Sequence, residues 1–273
     1  MIFDAESAQR DLAALAARHA RPSTPPGAEV PAELDRAIAA DGALAGAAAR
    51  ARRGLVEQIT ARLDGLVDPS DVARFGPALL AVPRERFVAP EEIARSAEDA
   101  PSPLDAEGLA TVSAPHAYVL TYALLDLGEG DHLIELGTGT GYGAALASHV
   151  VGRRGRVTSI EIDPALHVRA RRILAAPHAR GPARIALLLG DARAHAPEAL
   201  AQAAAEARPV RIAVTYALPS APDALLDLLP EGGRLVAPVG ARDQLLRRWT
   251  REPLSRALSE TVHGAVRYVA ERS

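Results

Sequence analysis

The sequence predicts an α/β protein built on a doubly wound, mostly parallel sheet, with an N-terminal helical extension. Three observations carry that expectation. Short apolar runs of strand length alternate with helical stretches, the pattern that covers both faces of a parallel sheet. One such run, Leu133-Ile-Glu-Leu136, leads through Gly137-Thr-Gly-Thr-Gly141 into a helical stretch beginning near Gly143. Several runs end in acidic or hydroxyl residues, at the edge where open α/β sheets gather their ligands.

Taken in order, residues 8–20 read as a helix with Leu12, Leu15 and Ala16 on one face. Residues 21–27 are a breaker cluster, and a second helical piece starts near Pro31 with Leu34, Ala37 and Ile38 apolar. Residues 1–49 are therefore expected to form a helical extension with a proline-rich linker, and residues 50–273 the main domain. A cap on the main domain and a docking arm both fit the extension. Leu55, Ile59 and Leu63 mark an amphipathic helix over 54–66, and Asp68-Pro-Ser70 caps another carrying Val72, Phe75, Leu79 and Leu80. After Val82-Pro-Arg84 comes a loop over 96–110. Thr111-Val-Ser-Ala-Pro115 then opens a helix through His116, Val119, Leu120, Leu124 and Leu125.

The turn Gly128-Glu-Gly-Asp131 enters the central strand, whose Leu133, Ile134 and Leu136 suit burial on both faces. A second strand, 156–160, ends in Glu161; Asp163-Pro164 then starts a helix with Val168, Ile173 and Leu174 expected inward. A third strand, 184–189, ends in Gly190-Asp-Ala192, and a helix is expected from Pro197. The fourth strand, 210–214, ends at Thr215-Tyr216; a helix over 222–229 leads to a fifth strand, 234–239. Later strand candidates are 244–249 and 265–269. Right-handed crossovers would place Gly137, Glu161, Asp191 and Thr215 along one edge.

Composition narrows the function classes. A net charge of -3 over 273 residues makes no electrostatic case for nucleic acid or an acidic membrane. The absence of cysteine excludes disulfides, thiolate metal sites and a cysteine nucleophile, and no metal partner is expected. Every basic side chain counted as Lys+Arg is arginine, which with so much alanine reads as codon bias. Residues 1–6 lack the basic-then-apolar pattern of a leader, and no apolar run approaches the ~18 residues of a span. A soluble cytoplasmic protein is the expectation.

The glycine turn points to a nucleotide-like cofactor, because glycines admit close approach and the next helix presents free N–H groups. Three details favour S-adenosylmethionine. The spacing is Gly-x-Gly-x-Gly, not the Gly-x-Gly-x-x-Gly of dinucleotide sites. Glu135 precedes the first glycine, where a carboxylate suits a sulfonium or amino group and would repel a pyrophosphate. Glu161 lies ~20 residues past the turn, where a carboxylate can take ribose hydroxyls, a feature shared with nicotinamide enzymes. Asp191 could accept from an adenine amino group or cap the next helix. The expected cofactor set is Glu135, Gly137, Thr138, Gly139, Gly141, Glu161, Ile162, Asp191, Ala192 and Thr215.

From about Arg53 to Arg272 the chain resembles the protein-L-isoaspartate (D-aspartate) O-methyltransferases, a family with the Rossmann-like class I methyltransferase fold. The resemblance rests on Leu55-Val-Glu-Gln58, Val82-Pro-Arg-Glu-Arg-Phe-Val88, Thr111-Val-Ser-Ala-Pro-His116, Glu135-Leu-Gly-Thr-Gly-Thr-Gly-Tyr142, the stretch 217–236 and Pro238-Val-Gly240. The Val-Pro-Arg and Thr-x-Ser-x-Pro elements are far more particular than the glycine turn. The resemblance implies methyl transfer from S-adenosylmethionine to isoaspartyl carboxylates of proteins or peptides, the ester collapsing to a succinimide. It also implies that Ser113 lies beside the acceptor carboxylate, with Thr111 lining the same loop. Ser113 could equally cap the helix at Pro115, and His116 reads as a packed or capping histidine rather than a base. A carboxylate of pKa ~4 is already ionised at neutral pH, so no general base is required.

Departures fall unevenly. Where the family usually has a glycine-and-glutamine stretch, this chain has Ala106-Glu-Gly-Leu-Ala110, and Tyr216 stands where small residues are usual. The cofactor half keeps its pattern and the acceptor half does not. Two alternatives therefore stand beside general repair: a dedicated aspartyl methyltransferase tailoring a ribosomally made peptide, and a non-catalytic S-adenosylmethionine-binding module.

Overall fold

The computed structural model describes residues 42–105, 108–176 and 179–272. The expected helices and linker before residue 42 lie outside them. The chain divides after Val119 into two compact units.

In the first unit, helix α1 (Gly42–Leu63) buries Leu55, Ile59 and Leu63. It begins well before the expected start at Gly54, because Ala and Arg propagate a helix without any apolar periodicity to reveal it. It stops where Gly65 takes φ 73°, so Leu66, expected inside the helix, follows its end and is exposed. Helix α2 (Pro69–Ala81) starts as expected, with the Asp68 carboxylate accepting from Ser70 N–H at 2.8 Å. Short 3₁₀ turns follow at Arg84–Arg86 and Pro90–Arg95. The expected loop over 96–110 contains strand β1 (Ser102–Pro103), which pairs antiparallel with β2 (Thr111–Val112). Helix α3 (Pro115–Leu125) then leads onward.

In the second unit, strands β3 (His132–Leu136), β4 (Arg156–Glu161), β5 (Arg184–Leu189), β6 (Val210–Val214), β7 (Arg234–Val239), β8 (Gln244–Arg251) and β9 (Leu258–Val266) form one sheet ordered β5-β4-β3-β6-β7-β8-β9. The first five in that order are parallel, and β8 and β9 are antiparallel. Helices α4 (Tyr142–Val151), α5 (Pro164–Ala175), α6 (Ala192–Ala205) and α7 (Asp223–Leu228) link successive parallel strands. Strand order reverses between β3 and β6, which creates a crevice at their carboxyl ends. Leu136 is in register with Ile160 on one side and Val214 on the other, so those ends are level.

Ile134, Leu136, Ile212, Val214, Leu235 and Trp249 form the core with the alanine face Ala192, Ala196, Ala199 and Ala203 of α6. Side chains that small let the helix lie close to the sheet. Alternation sends Leu133 and Glu135 to the other face.

Three further expectations need correction. On α5 the buried positions are His167, Arg169, Ala170 and Leu174, and Val168 is 47% exposed, because the face turned to Gly141 is set by Ala170 and Leu174. Helix α6 starts at Ala192 rather than Pro197, which lies inside it. Strand β9 begins at Leu258, earlier than expected, and is mostly exposed; a solvated edge strand carries no apolar alternation. No helix among the described residues is long and apolar enough to cross a membrane.

Candidate functional site

The glycine turn closes on groups from both neighbouring strands. Gly137 N–H and Thr138 N–H donate to Ile160 O at 2.9 and 3.2 Å. Gly137 takes φ 97°, and a Cβ there would stand 2.3 Å from Thr215 Oγ1. The Thr215 hydroxyl donates to Gly137 O at 2.7 Å and also lies 3.0 Å from Leu136 O. Thr215, expected at the cofactor, thus clasps β6 to the turn across the switch point. At Gly141, φ 90°, a Cβ would meet Leu174 Cδ1 at 2.8 Å. The room at these two glycines is therefore taken by the protein's own side chains.

Two buried carboxyls stand behind and beside the turn. Glu161 Oε2 accepts from Gly139 N–H at 2.7 Å and Oε1 from Asp163 N–H at 3.0 Å. Burial pushes its carboxyl above the usual range, against the lowering effect of those backbone donors. Glu135 is 1% exposed and accepts from Ser159 Oγ at 2.6 Å; Ser159 Oγ lies 2.6 Å from Thr138 Oγ1. Glu135 therefore reaches the turn through the Ser159–Thr138 relay. Burial, opposed by the Ser159 bond and reinforced by the Glu161 charge, pushes it up to about 8.

Further along the edge, Gly190 N–H donates to Glu161 O at 2.8 Å, which sets Asp191 and Ala192 beside β4. Asp191 is exposed and its Oδ1 accepts from Arg193 N–H at 2.8 Å. The helix-capping alternative for this residue is thus realised, with Oδ1 engaged. Ile162 leaves 37% of its surface exposed between Glu161 and Asp163. Sequence reasoning missed the chain's far end: Glu271 pairs with Arg193 at 2.7 Å and Arg272 with Asp163 at 3.2 Å, across the same edge. A charged terminus carries no periodic signal that could have announced this. A pocket of about 220 Å³ opens nearby, lined by Leu136, Val214, Tyr216, Leu218, Leu225 and Glu271 among others. Burial pushes the Tyr216 phenol up.

Two features fit a ligand with acceptor groups. The Thr140 hydroxyl is buried in the turn without a hydrogen-bond partner among the described residues. Gly141 stands at the cap position of helix α4 and supplies no side-chain cap, so the positive end of the helix faces the turn.

In the first unit, Thr111 lies on β2 opposite Pro103, and Ser113 follows the strand half-buried. Ser113 does not cap α3 at His116, whose N–H goes to Asp99 Oδ1 at 2.9 Å. The His116 ring Nδ1 also sits 3.0 Å from that carboxylate, as a packed histidine would. Although burial acts to raise it, bonding to His116 leaves the Asp99 carboxyl below its usual value. Of the altered stretch before Thr111, Ala106 and Glu107 lie outside the described residues; Leu109 is 59% exposed. The structure thus gathers Glu135, Thr138, Gly139, Glu161 and Thr215 into one bonded set in the second unit. Thr111 and Ser113 belong to the first unit.

Comparison with known proteins adds a family. The model of the protein-L-isoaspartate(D-aspartate) O-methyltransferase family matches residues 55–272. A protein-L-isoaspartate O-methyltransferase of Methanococcus maripaludis is 37% identical over 175 residues, covering 64% of this chain and 76% of the relative. Protein-L-isoaspartate O-methyltransferase 2 of Archaeoglobus fulgidus is 40% identical over 170 residues, 62% of this chain and 72% of the relative. A solved protein-L-isoaspartate O-methyltransferase superposes with TM-score 0.63 at 25% identity, over 81% of this chain and 66% of that one. A Plasmodium falciparum protein assigned to the same activity, solved with S-adenosyl-L-homocysteine, shares the fold with TM-score 0.62 at 20% identity, over 80% and 97%.

Proposed function

The chain belongs to the protein-L-isoaspartate(D-aspartate) O-methyltransferase family, and from that premise we propose that it methylates the carboxylate of isoaspartyl residues in proteins or peptides. Its methyl donor is S-adenosylmethionine. The observation that carries this reading is the turn at the switch point, held between Thr215 and Glu161 beside the unpartnered Thr140 hydroxyl.

When bound, S-adenosylmethionine supplies an electrophilic methyl carbon: the acceptor oxygen forms the C–O bond as the C–S bond breaks, and S-adenosylhomocysteine leaves. The protein's part is to hold and orient. Glu161 has lone pairs beyond its two backbone bonds for the ribose hydroxyls. Asp191 has a second oxygen for the adenine amino group, and Ile162 offers apolar surface to a ring. The N-terminal end of α4 and the Thr140 hydroxyl suit the donor's carboxylate. Glu135 and its relay suit the donor's positive end, and a cation nearby would draw the Glu135 proton off. Ser113 and Thr111 would orient the acceptor carboxylate by hydrogen bonds without removing a proton. Such positioning can supply ~7–11 kcal/mol of barrier lowering.

The test is a turnover assay with an isoaspartyl peptide and its aspartyl twin. We expect S-adenosylhomocysteine and a base-labile methyl ester with the isoaspartyl peptide. Equal, background-level product from both peptides would refute the reading.

A further inference from the structure

One buried guanidinium holds together the segment that carries Thr111 and Ser113. Arg84 is 1% exposed. Its Nη1 donates to Ser96 O at 3.1 Å and Glu98 O at 3.2 Å. Its Nη2 donates to Ala100 O at 2.7 Å, and lies 3.5 Å from Ser102 Oγ and 3.4 Å from Ser113 O. These acceptors lie on both sides of the β1–β2 ribbon, at its base: four precede or begin β1 and the fifth follows β2. The ribbon itself pairs only Ser102 with Val112 and Pro103 with Thr111, with one further bond from Leu104 N–H to Ala110 O at 2.9 Å. So short a hairpin does not define its own position.

The backbone that presents Arg84 is itself fixed. Val82, Phe87 and Val88 are fully buried, and Pro83 restricts φ immediately before the arginine. Glu85, pushed up by burial, pairs with Arg52 of α1 at 3.0 Å. Moving a guanidinium out of water costs several kcal/mol unless its donors are met, and a fork of five fixed donors is the one side chain that can meet several diverging carbonyls at once. A lysine ammonium, a single point with three donors, cannot span them.

We propose that Arg84 is a positioning residue for methyl transfer: it sets the Ser113 backbone, and through it the Ser113 hydroxyl, at the acceptor carboxylate. This rests on the reading of Ser113 given above. Arg84 touches neither substrate nor donor. Its effect travels through the Ser113 carbonyl and the segment 96–102 leading into β1.

The test is a double-mutant cycle on the full chain with Arg84→Lys, Ser113→Ala and the pair. The readouts are kcat and KM for an isoaspartyl peptide, S-adenosylhomocysteine affinity by calorimetry, and thermal melting. A displacement of about 1 Å can cost ~100-fold in rate, so R84K should lower kcat/KM by about 10–100-fold. Cofactor affinity should stay within about twofold, since the cofactor residues belong to the other unit, and the double variant should be no worse than the poorer single one within about twofold. Multiplying effects would overturn the proposal, as would unchanged kinetics in R84K. Loss of folding and cofactor binding in both R84K and Arg84→Gln would also overturn it, by making Arg84 a folding residue alone. A silent S113A would remove the reading of Ser113 and the proposal with it. An impaired S113A beside a normal R84K would remove the proposal alone.

Discussion

Placing a methyl group on Gly137 tests how the turn is clasped. The residue sits at φ 97°, beyond the left-handed well, where an L side chain costs ~1–3 kcal/mol. The new Cβ would also stand 2.3 Å from Thr215 Oγ1 and 3.0 Å from Tyr216 Cδ1. Thr215 must then swing away, and its single hydroxyl proton gives up the bond it shares between Gly137 O at 2.7 Å and Leu136 O at 3.0 Å, at ~0.5–1.5 kcal/mol. Gly137→Ala should therefore destabilise the second unit by about 1.5–4.5 kcal/mol. Thr215→Ala loses the same bond without the backbone strain, about 0.5–1.5 kcal/mol. In the double variant the hydroxyl is lost once, so its destabilisation should fall short of the sum by about 0.5–1.5 kcal/mol. The assay is equilibrium urea unfolding followed by Trp249, the only tryptophan, which is 2% exposed in the core beneath the edge. Additivity within about 0.5 kcal/mol would refute the clasp. So would a Gly137→Ala cost below about 1 kcal/mol.

Other outcomes follow from the same geometry. Glu135, held neutral to about 8 in the folded state against 4.5 as the ordinary value, binds its proton more tightly folded than unfolded. Its contribution is therefore full below pH 4.5 and is lost as pH rises to about 8, at no more than ~1.4 kcal/mol per pH unit. Glu135→Gln should flatten the rise of urea midpoint with falling pH, and an unchanged slope would contradict the assignment. Asp191→Ala should cost ~1 kcal/mol through the lost cap, while Asp191→Asn keeps the cap and most of the stability. If cofactor affinity nevertheless drops in the asparagine variant, the second oxygen is serving the adenine; if both affinities match the parent, that role is absent. Ala199→Leu on the alanine face of α6 should destabilise by ~1–3 kcal/mol through overpacking, read by thermal melting, and a neutral result would mean the helix stands off the sheet.

The sequence by itself determined the parallel sheet, its glycine turn and the residues at its carboxyl edge. Buried strands such as Leu133-Ile-Glu-Leu136 and 210–214 read as short, mostly apolar runs, and Asp68 and Asp163 mark helix starts through local hydrogen bonds. Those signals act between residues close in the chain, so they are legible there. The tertiary structure alone decided what each edge residue touches. Thr215 turned out to clasp Gly137, Glu135 to work through Ser159, and Asp99 rather than Ser113 to meet the start of α3. It also decided that Val168 faces out and that exposed β9 belongs to the sheet. Each of these pairings joins residues far apart in sequence, and nothing local distinguishes a carboxylate or arginine that finds a buried partner from one that stays in water.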